Sequence, residues 1–477
     1  MNCNSEKSQH STINSARKPG PQLFHLNQSS LAVAICCMIW SGLGLAQAAD
    51  QANSPAYPVK VSANGRYLVD QKNVPFLIAG ESPQALMVNL SEDEAEMFFA
   101  NRQRHGFNTV WINLLCKPYT GGRPDGSTFD GILPFTTPND LATPNPAYFE
   151  RCDRMIRLAA KHGLLVMLDP IETGDFLKVM TSNGPAKCRE FGRYVGARYE
   201  GFDNLLWLHG NDYQNWREAT NDAAVTAVAL GIKDKDARHL HTIELDYEIS
   251  GSLDDPRWES IINVCASYTY YPTYAQVLKD YNRTNFMPVC MIESDYEFER
   301  ESTPATLRRE EYWSILSGAT GQLYGNGFTW PFKAGWKTNL DTPGAIQMAY
   351  VKALFEGRAW FELVPDQNHK LVTAGYGTFD GTATPGNHFN MTSDYVTAGR
   401  APDGSLALAY MPTFRPITLD LTQLRGPAKA QWYDPSCGRY LTIEGGPFTN
   451  GNHVFIPPRH NADGDDDWVL VLEAGKK

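Results

Sequence analysis

The chain has 477 residues, of which 42% are hydrophobic and 20% charged, and its formal net charge is −11. This length suits two or three domains. The acidic balance disfavours binding to nucleic acid or to an anionic lipid surface, so we expect neither as a partner.

The first segment is typical of an export signal rather than of a folded domain. Arg17 and Lys18 precede an apolar run at 31–45, and the small-x-small sequence AQA follows at 46–48, as signal peptidase requires. An apolar run of about 15 residues is short for a membrane span, which needs roughly 20. We predict a cleaved signal peptide over 1–48 and a periplasmic or secreted protein that is free of the membrane after cleavage. An uncleaved anchor is the alternative, which the long polar lead-in leaves open.

Residues 55–75 alternate apolar and polar side chains around the turn sequences NG and QKN, which predicts an N-terminal β-hairpin packed on the next domain. From Phe76 the pattern changes, and short apolar runs alternate with helical patterns. Eight such runs follow: Phe76–Gly80, Thr109–Leu115, Leu164–Pro170, Asn204–Gly210, His241–Asp246, Ser260–Ser267, Pro288–Ser294 and Gly321–Asn326.

Strand–helix alternation implies parallel strands, and continuously apolar strands are covered on both faces. Eight units predict an α/β fold, a (β/α)8 TIM barrel over 76–362. A doubly wound sheet is the alternative fold. That fold calls for a Gly-rich phosphate loop after the first strand, and the sequence AGESPQ found there is not one.

Two helices carry clear signals. Ser91 followed by Glu94 predicts a capping box, and Gly106 predicts the end of that helix. A second helical pattern, which stops at Gly163, places an apolar set on one face: Tyr148, Cys152, Met155, Ile156 and Ala159. The link after His241–Asp246 has only a weak helical pattern.

From Leu363 the sequence consists of short alternating strands separated by Gly, Pro and Asn, which predicts a C-terminal β-sandwich domain over 363–477. No low-complexity linker precedes it, so we expect direct packing against the barrel. The acidic run DGDDD at 463–467 is typical of a solvated turn. Calcium binding is the alternative, although the spacing fits no EF-hand loop.

Six cysteines remain after the predicted signal, without CxxC or His pairing at metal-site spacing. We expect them to be small buried side chains, with one disulfide as the alternative in an oxidising compartment.

Acidic and aromatic side chains gather where the predicted strands end, which is the active face of a barrel. Such a ring suits a sugar-cleaving site, because aromatic faces stack on sugar rings and two carboxyls can split a glycosidic bond. Asp212 after the fourth strand and Glu293 on the seventh lie on opposite sides of the predicted mouth. An acid at a strand end can also be only a cap or an ion-pair partner.

Seven further side chains are candidate sugar contacts, with core packing as the alternative for each: Glu81, Trp111, His209, Asn211, Tyr296, Tyr324 and Trp330. His209 lacks a second His at ligand spacing, so we expect no metal site. No cofactor is expected, and the expected partner is an oligosaccharide or polysaccharide substrate.

Several segments together resemble the apiosidase-like glycoside hydrolases of family 140. They are VPFLIAGESP, FFANRQRHGFNTVWINLL, LLWLHGNDY, MIESDYEFE, LRREEYWSILSGATGQLYGNGFTW and LDTPGAIQMAYVKALFEGRAWFELVPD, in that order. The resemblance runs from about Val74 to Asp366. The tail, from APDGSLALAYMPTFRPITLDL through AQWYDPSCGRYL, resembles the collagen-binding-type β domain that often follows in that family.

The resemblance implies a retaining hydrolase with a barrel core. The family's W-x-x-G-x-D pattern is present as Trp207, Gly210 and Asp212, which implies that Asp212 is the general acid/base. Its E-x-x-Y-E pattern begins at Glu293, which would be the nucleophile. The best-known substrate of the family is an apiose-bearing pectin side chain.

The chain also departs from the family pattern. GND replaces the common GGD, GESPQ replaces GDTPW, and Glu244 or Asp246 occupies the space of a family His after the fifth strand. These changes surround the expected cleavage point, so another furanoside or an unusual pentoside is an equal expectation for the substrate. Two rival functions are a barrel esterase or lyase, which the lack of a G-x-S-x-G elbow disfavours, and a non-catalytic polymer-binding protein with a degenerate barrel.

Overall fold

The computed structural model describes residues 55–381 and 392–475. The predicted signal peptide at 1–48 lies outside these residues. None of the helices in the described ranges is long and apolar enough to cross a membrane.

A small antiparallel sheet opens the described chain, and a curled nine-stranded sheet follows it. The small sheet contains β1 (Lys60–Val61), β2 (Leu68–Val69) and β3 (Pro75–Phe76). The curled sheet contains β4 (Ile78–Glu81), β5 (Thr109–Asn113), β6 (Leu165–Asp169), β7 (Leu205–His209), β8 (His241–Ile243), β9 (Ile249–Gly251), β10 (Cys265–Thr269), β11 (Val289–Glu293) and β12 (Ala319–Tyr324).

Eight strands of the curled sheet run parallel, and β9 alone runs antiparallel, beside β10. β12 pairs with β4. Between β8 and β10 the ring is joined by Asn263 N, which donates to His241 O at 2.8 Å, and by Ser252 Oγ, which donates to Ile243 O. Each predicted run overlaps one parallel strand, so the predicted TIM barrel is confirmed.

The helices are α1 (Leu86–Asn89), α2 (Glu92–Arg104), α3 (Pro146–Lys161), α4 (Leu177–Tyr199), α5 (Ala219–Lys233), α6 (Thr273–Tyr281), α7 (Pro304–Leu316) and α8 (Pro343–Glu356). The capping box of Ser91 and Glu94 is present at the start of α2. The predicted apolar face of α3 is buried. In the fully described stretch between β8 and β10, β9 and two 3₁₀ turns take the place of an α-helix, which explains the weak helical pattern there.

The barrel interior is filled by alternate residues of the strands. Leu206 and Leu208 of β7 share one cluster with Met167 of β6, whereas Trp207 packs with the helices outside. The small N-terminal sheet contributes Leu68 and Phe76 to the same interior cluster. Buried faces on both sides explain why these strands are continuously apolar.

Two antiparallel sheets form the C-terminal domain, which confirms the predicted β-sandwich. Its strands are β13 (Val364–Pro365), β14 (Val372–Ala374), β15 (Thr397–Arg400), β16 (Leu406–Met411), β17 (Ile417–Asp420), β18 (Ala428–Asp434), β19 (Arg439–Thr442), β20 (Asn452–Phe455) and β21 (Trp468–Ala474). The larger sheet has the order β13-β15-β16-β21-β18-β19, and the smaller sheet has the order β14-β17-β20.

The central strands of the larger sheet are buried on both faces, as β16 shows. Ala407, Ala409 and Met411 pack toward the smaller sheet. Leu408 and Tyr410 pack on the other side against side chains of α7 and α8. Successive residues of a strand point to opposite faces, so one strand binds the sandwich together and also attaches it to the barrel.

The six cysteines of the described residues are all free of disulfide bonds. Five are buried, as expected from the sequence, and Cys437 is half-buried.

Candidate active site

Asp212 and Glu293 lie in one pocket at the carboxyl ends of the barrel strands, and a tyrosine hydroxyl joins them. Tyr268 Oη lies 2.8 Å from Asp212 Oδ1 and 2.9 Å from Glu293 Oε1. The two carboxylate oxygens are therefore separated by at most about 5.7 Å, the span of those two bonds laid end to end.

Other tyrosines complete the contacts of the two carboxyls. Tyr270 Oη donates to Glu293 Oε1 and Tyr296 Oη donates to Glu293 Oε2, each at 2.7 Å. Tyr119 Oη donates to Asp212 Oδ2 at 2.6 Å. Burial raises the pKa of the Tyr268, Tyr270 and Tyr296 hydroxyls well above 10, so they stay protonated and can donate.

Asp212 sits in a turn whose backbone is unusual for three successive residues. The φ angles are +102° at Gly210, +81° at Asn211 and +51° at Asp212. A left-handed conformation costs roughly 1–2 kcal/mol for a residue with a side chain. Strain of this kind persists only where the surroundings hold it, and it clusters at functional sites.

Burial raises the pKa of both carboxyls. Burial first and the charge of Asp212 second raise the pKa of Glu293, against hydrogen bonds from three tyrosines, which lower it. The pKa of Asp212 is also raised by burial, against hydrogen bonds from Tyr119 and Tyr268 and the positive charge of Arg300, which lower it. Mutual repulsion between two buried carboxyls this close favours a state in which one of them is protonated and the other ionised.

Arg300 places a cation at the edge of the site. Its guanidinium carbon lies 3.2 Å from the centre of the Tyr270 ring. Tyr270 in turn donates to Glu293. Arg300 has a positive φ of +48°, as do Phe298 and Glu301 beside it, so the loop that carries this charge is strained as well.

Two predicted contacts reach the pocket, and a third lies beneath it. Tyr296 donates directly to Glu293, and Asn211 belongs to the turn of Asp212. Asn211 Oδ1 accepts from Asn113 Nδ2 at 2.8 Å, and Asn113 Oδ1 accepts from Trp111 Nε1 at 2.8 Å. Trp111 is fully buried inside the barrel, so it supports the site from below instead of stacking on a sugar.

Three predicted contacts lie outside the pocket, because their side chains point toward the helices. His209 stacks on His241, and Nε2 of His209 lies 3.0 Å from Nδ1 of His241. Tyr324 hydrogen-bonds to Glu297. Glu81 forms an ion pair with Arg102 of α2.

Trp330, the last predicted contact, lies near the rim and is half-buried. Its Nε1 donates to Glu299 Oε1 at 2.7 Å.

Sequence reasoning missed Tyr119, Tyr268 and Tyr270 as neighbours of the carboxyls, whereas it placed Glu244 or Asp246 beside the expected cleavage point, and Glu244 lies there. Tyr268 and Tyr270 went unnoticed because the sixth run was predicted to end at Ser267, whereas β10 continues to Thr269. The alternation in the sequence SYTYY could have revealed both. Tyr119 lies in the long connection between β5 and α3, and no local pattern connects it with Asp212.

Across residues 55–381 and 392–475, no group of three or more His, Cys, Asp or Glu side chains could hold a metal ion. The carboxyls of the pocket are instead occupied by tyrosine hydroxyls.

Two family models match the chain. The family model "Apiosidase-like, catalytic domain" matches residues 62–362, and the model "Putative collagen-binding domain of a collagenase" matches 386–473. No curated protein matches.

Solved structures share the fold over most of the chain. One, a glycoside hydrolase, has a TM-score of 0.75 and 23% identity, covering 88% of this chain and 98% of its own. A family 5 glycoside hydrolase from Bacteroides vulgatus has a TM-score of 0.74 and 22% identity, covering 87% of this chain and 93% of its own.

The family model spans the whole barrel, including both carboxyls and Tyr268, which joins them. The resemblance found in the sequence is thereby confirmed, and the chain belongs to the apiosidase-like family of glycoside hydrolases.

Proposed function

We propose that the protein is a retaining glycoside hydrolase in which Asp212 is the general acid/base and Glu293 the nucleophile. The observation that carries this proposal is the single hydroxyl of Tyr268, which contacts both carboxyls. Retaining enzymes hold their two carboxyl groups about 5–5.5 Å apart, and inverting enzymes hold them about 6.5–9.5 Å apart. The limit of about 5.7 Å between the bridged oxygens supports the retaining geometry.

The hydrogen bonds favour placing the shared proton on Asp212. Glu293 has three tyrosine hydroxyls around it, from Tyr268, Tyr270 and Tyr296. Asp212 has two, one of them also from Tyr268. Hydroxyl donors stabilise the ionised carboxylate, so the negative charge belongs on Glu293, the group that attacks.

The reaction then proceeds in two steps. The Glu293 carboxylate attacks the anomeric carbon while protonated Asp212 gives its proton to the leaving glycosidic oxygen, forming a glycosyl–enzyme ester. Asp212, now ionised, takes a proton from water, which attacks the same carbon and releases Glu293. The second step restores the proton that Asp212 gave up in the first step, so both carboxyls end in their starting states.

For the substrate we propose a terminal furanosidic or unusual pentosyl residue on a plant or microbial polysaccharide. Membership of the apiosidase-like family supports this sugar class. The family departure at Gln84 lies against the site, since Gln84 Nε2 is 3.4 Å from Tyr296 Oη. A changed residue beside the nucleophile's own tyrosine favours a sugar or linkage that differs from the family's common one.

A panel of pectic side chains and furanosidic pentosides tests the proposal, with the released monosaccharide as the readout. We expect turnover on a terminal pentosyl linkage. Asp212→Ala and Glu293→Ala should each remove nearly all of it, since general acid–base catalysis alone contributes about 10²–10⁴-fold. Added azide should restore the Asp212→Ala variant on a substrate with an activated leaving group, because azide attacks the ester without a base.

Full activity in either folded variant would contradict the role of that residue. Glycan binding without turnover across the panel would favour the alternative of a non-catalytic polymer-binding protein.

A further inference from the structure

The turn that carries Asp212 is hydrogen-bonded to Thr173 on one side and to Glu244 on the other. Thr173 binds two of its carbonyls, with Oγ1 at 2.8 Å from Gly210 O and 2.9 Å from Asn211 O. Glu244 binds the other side: its backbone N–H donates to His209 O at 2.8 Å, and its Oε2 accepts the backbone N–H of Asp212 at 2.9 Å.

The fit between the turn and Glu244 is close enough to require glycine. A Cβ placed on Gly210 would lie 2.0 Å from the backbone oxygen of Glu244. The main chain of the turn therefore rests on the main chain of Glu244, while the Glu244 side chain reaches past it to the amide of Asp212. One residue thus fixes both the position and the rotation of the turn.

We propose that Glu244 is the positioning residue for the general acid: its carboxyl oxygen holds the Asp212 N–H and so aims the Asp212 carboxyl at the glycosidic oxygen. This inference rests on the proposed role of Asp212. Glu244 touches no reacting atom in this scheme, so it acts through Asp212 alone.

The surroundings favour the uncharged form of Glu244. Glu244 is 1% exposed. Burial raises its pKa well above the usual value, and the charges of Glu293 and Asp212 raise the pKa further. Its Oε1, which is buried, has no hydrogen-bond partner among the described residues. Oε1 can therefore carry the proton while Oε2 accepts the Asp212 N–H. A glutamine amide has the same shape and charge.

The test uses kcat/KM on two glycosides of the sugar that the panel identifies. One has an ordinary sugar leaving group, which needs protonation, and the other has a 2,4-dinitrophenyl leaving group, which does not. Glu244→Met keeps the length of the side chain but has no acceptor. We expect kcat/KM of Glu244→Met to fall about 100-fold on the first glycoside, which lies within the roughly 10²–10⁴-fold contribution of general acid catalysis. On the second glycoside kcat/KM should fall less than about tenfold. Glu244→Gln should stay within about threefold of wild type on both.

Glu311 of α7 supplies a matched control. It is also a buried glutamate whose pKa is raised by burial, and it contacts neither catalytic carboxyl. Glu311→Met should change kcat/KM by the same factor on both glycosides. Should Glu244→Met fail to fold, as judged by circular dichroism, Glu244→Leu takes its place.

Equal losses of Glu244→Met on the two glycosides would overturn the proposal, and so would a Glu244→Gln variant as impaired as the methionine variant. Asp212→Ala is measured alongside to separate the two levels of inference. If Asp212→Ala shows no preference for the activated glycoside, Asp212 is not the acid, and the proposed function fails together with this inference.

Discussion

The Tyr268 hydroxyl has one proton and three oxygen neighbours, namely Asp212, Glu293 and Tyr270. It can donate to one of them and must accept from another. With Asp212 protonated, Asp212 donates to Tyr268, and Tyr268 donates to Glu293, so every contact in that chain has a proton. A change in the protonation of one carboxyl therefore changes the hydrogen bond that Tyr268 makes to the other.

The remaining tyrosines separate the two roles, because each touches one carboxyl only. Tyr296→Phe removes a donor from Glu293, and Tyr119→Phe removes a donor from Asp212. Losing a donor to the ionised form raises a carboxyl's pKa. A hydrogen bond to a charged group is worth about 1.5–3 kcal/mol, and one pKa unit is about 1.4 kcal/mol, so we expect pKa shifts of about one to two units.

In the pH profile of kcat/KM, the nucleophile must be ionised and the acid protonated. Tyr296→Phe should therefore move the acidic limb to higher pH, whereas Tyr119→Phe should move the basic limb to higher pH. If the two limbs responded the other way round, the roles of Asp212 and Glu293 would be exchanged.

Gly210 gives a second residue-scale prediction. Gly210→Ala adds a Cβ that meets the Glu244 backbone at 2.0 Å, at a φ of +102°. We expect kcat to fall at least about 100-fold, since a misplacement of about 1 Å can cost that much, and the free energy of unfolding to fall by at least about 1 kcal/mol. Gly201→Ala is the control, because a Cβ there meets nothing within 4 Å. Similar kinetics in both variants would show that the turn tolerates movement.

At the scale of elements, two neighbouring strands carry a buried histidine pair on their outer faces. His209 of β7 and His241 of β8 stack with ring centres 5.3 Å apart. Burial lowers the pKa of His241 to about 3, and it lowers that of His209 well below 6.5. Both rings are therefore neutral in the folded protein.

This pair makes stability depend on pH. Below pH 6.5 His241 binds a proton in the unfolded chain but not in the folded protein. The contribution of neutral His241 to the free energy of unfolding is therefore complete above about pH 6.5 and is lost as the pH falls toward 3. The loss approaches about 1.4 kcal/mol per pH unit for each histidine. His241→Asn should show a shallower decline in urea unfolding between pH 7 and pH 4. Parallel curves for the variant and the wild type would contradict a neutral His241.

The strands were predictable from sequence, but the directions of their side chains were not. In an antiparallel sheet with one wet face, alternation tells inside from outside. In this barrel both faces are apolar, so Leu208 and His209 look equally suited to the interior. That ambiguity explains why His209, Tyr324 and Glu81 were predicted as sugar contacts although their side chains point away from the pocket. Asp212 and Glu293 were predicted together because both lie at strand ends, where position alone indicates the active face.

At the scale of the whole molecule, the acidic run near the C terminus joins the two domains. Arg308 of α7 donates two hydrogen bonds to Asp467, both at 2.8 Å, and a third to Asp465 at 2.7 Å. Arg308 and Asp467 are almost completely buried. The run is thus a turn that is partly exposed, at Asp466 for example, and anchored to the barrel through Asp465 and Asp467. Only the long-range partner 159 residues away reveals this anchoring role.

Removing one partner of this ion pair should weaken the whole protein. Asp467→Ala removes the buried partner and leaves Arg308 only the half-exposed carboxyls of Asp465 and Asp463. We therefore expect a loss above the roughly 1 kcal/mol of an exposed pair and below the roughly 3–5 kcal/mol of an unpaired buried charge. Asp466→Ala is the control: its partner is His460, both are well exposed, and such pairs are worth at most about 1 kcal/mol. Denaturant unfolding measures both. Equal losses would mean that the domains do not depend on Arg308 for their attachment.

The stereochemistry of the reaction tests the central claim, that Asp212 and Glu293 act as a close, tyrosine-bridged pair. Proton NMR of the first-formed product, recorded before the sugar mutarotates, reports the anomeric configuration. We predict that the product keeps the configuration of the substrate, since a separation of at most about 5.7 Å suits direct attack by Glu293. A product of inverted configuration would show that a water molecule attacks in its place, and it would contradict the assignment of Glu293 as nucleophile.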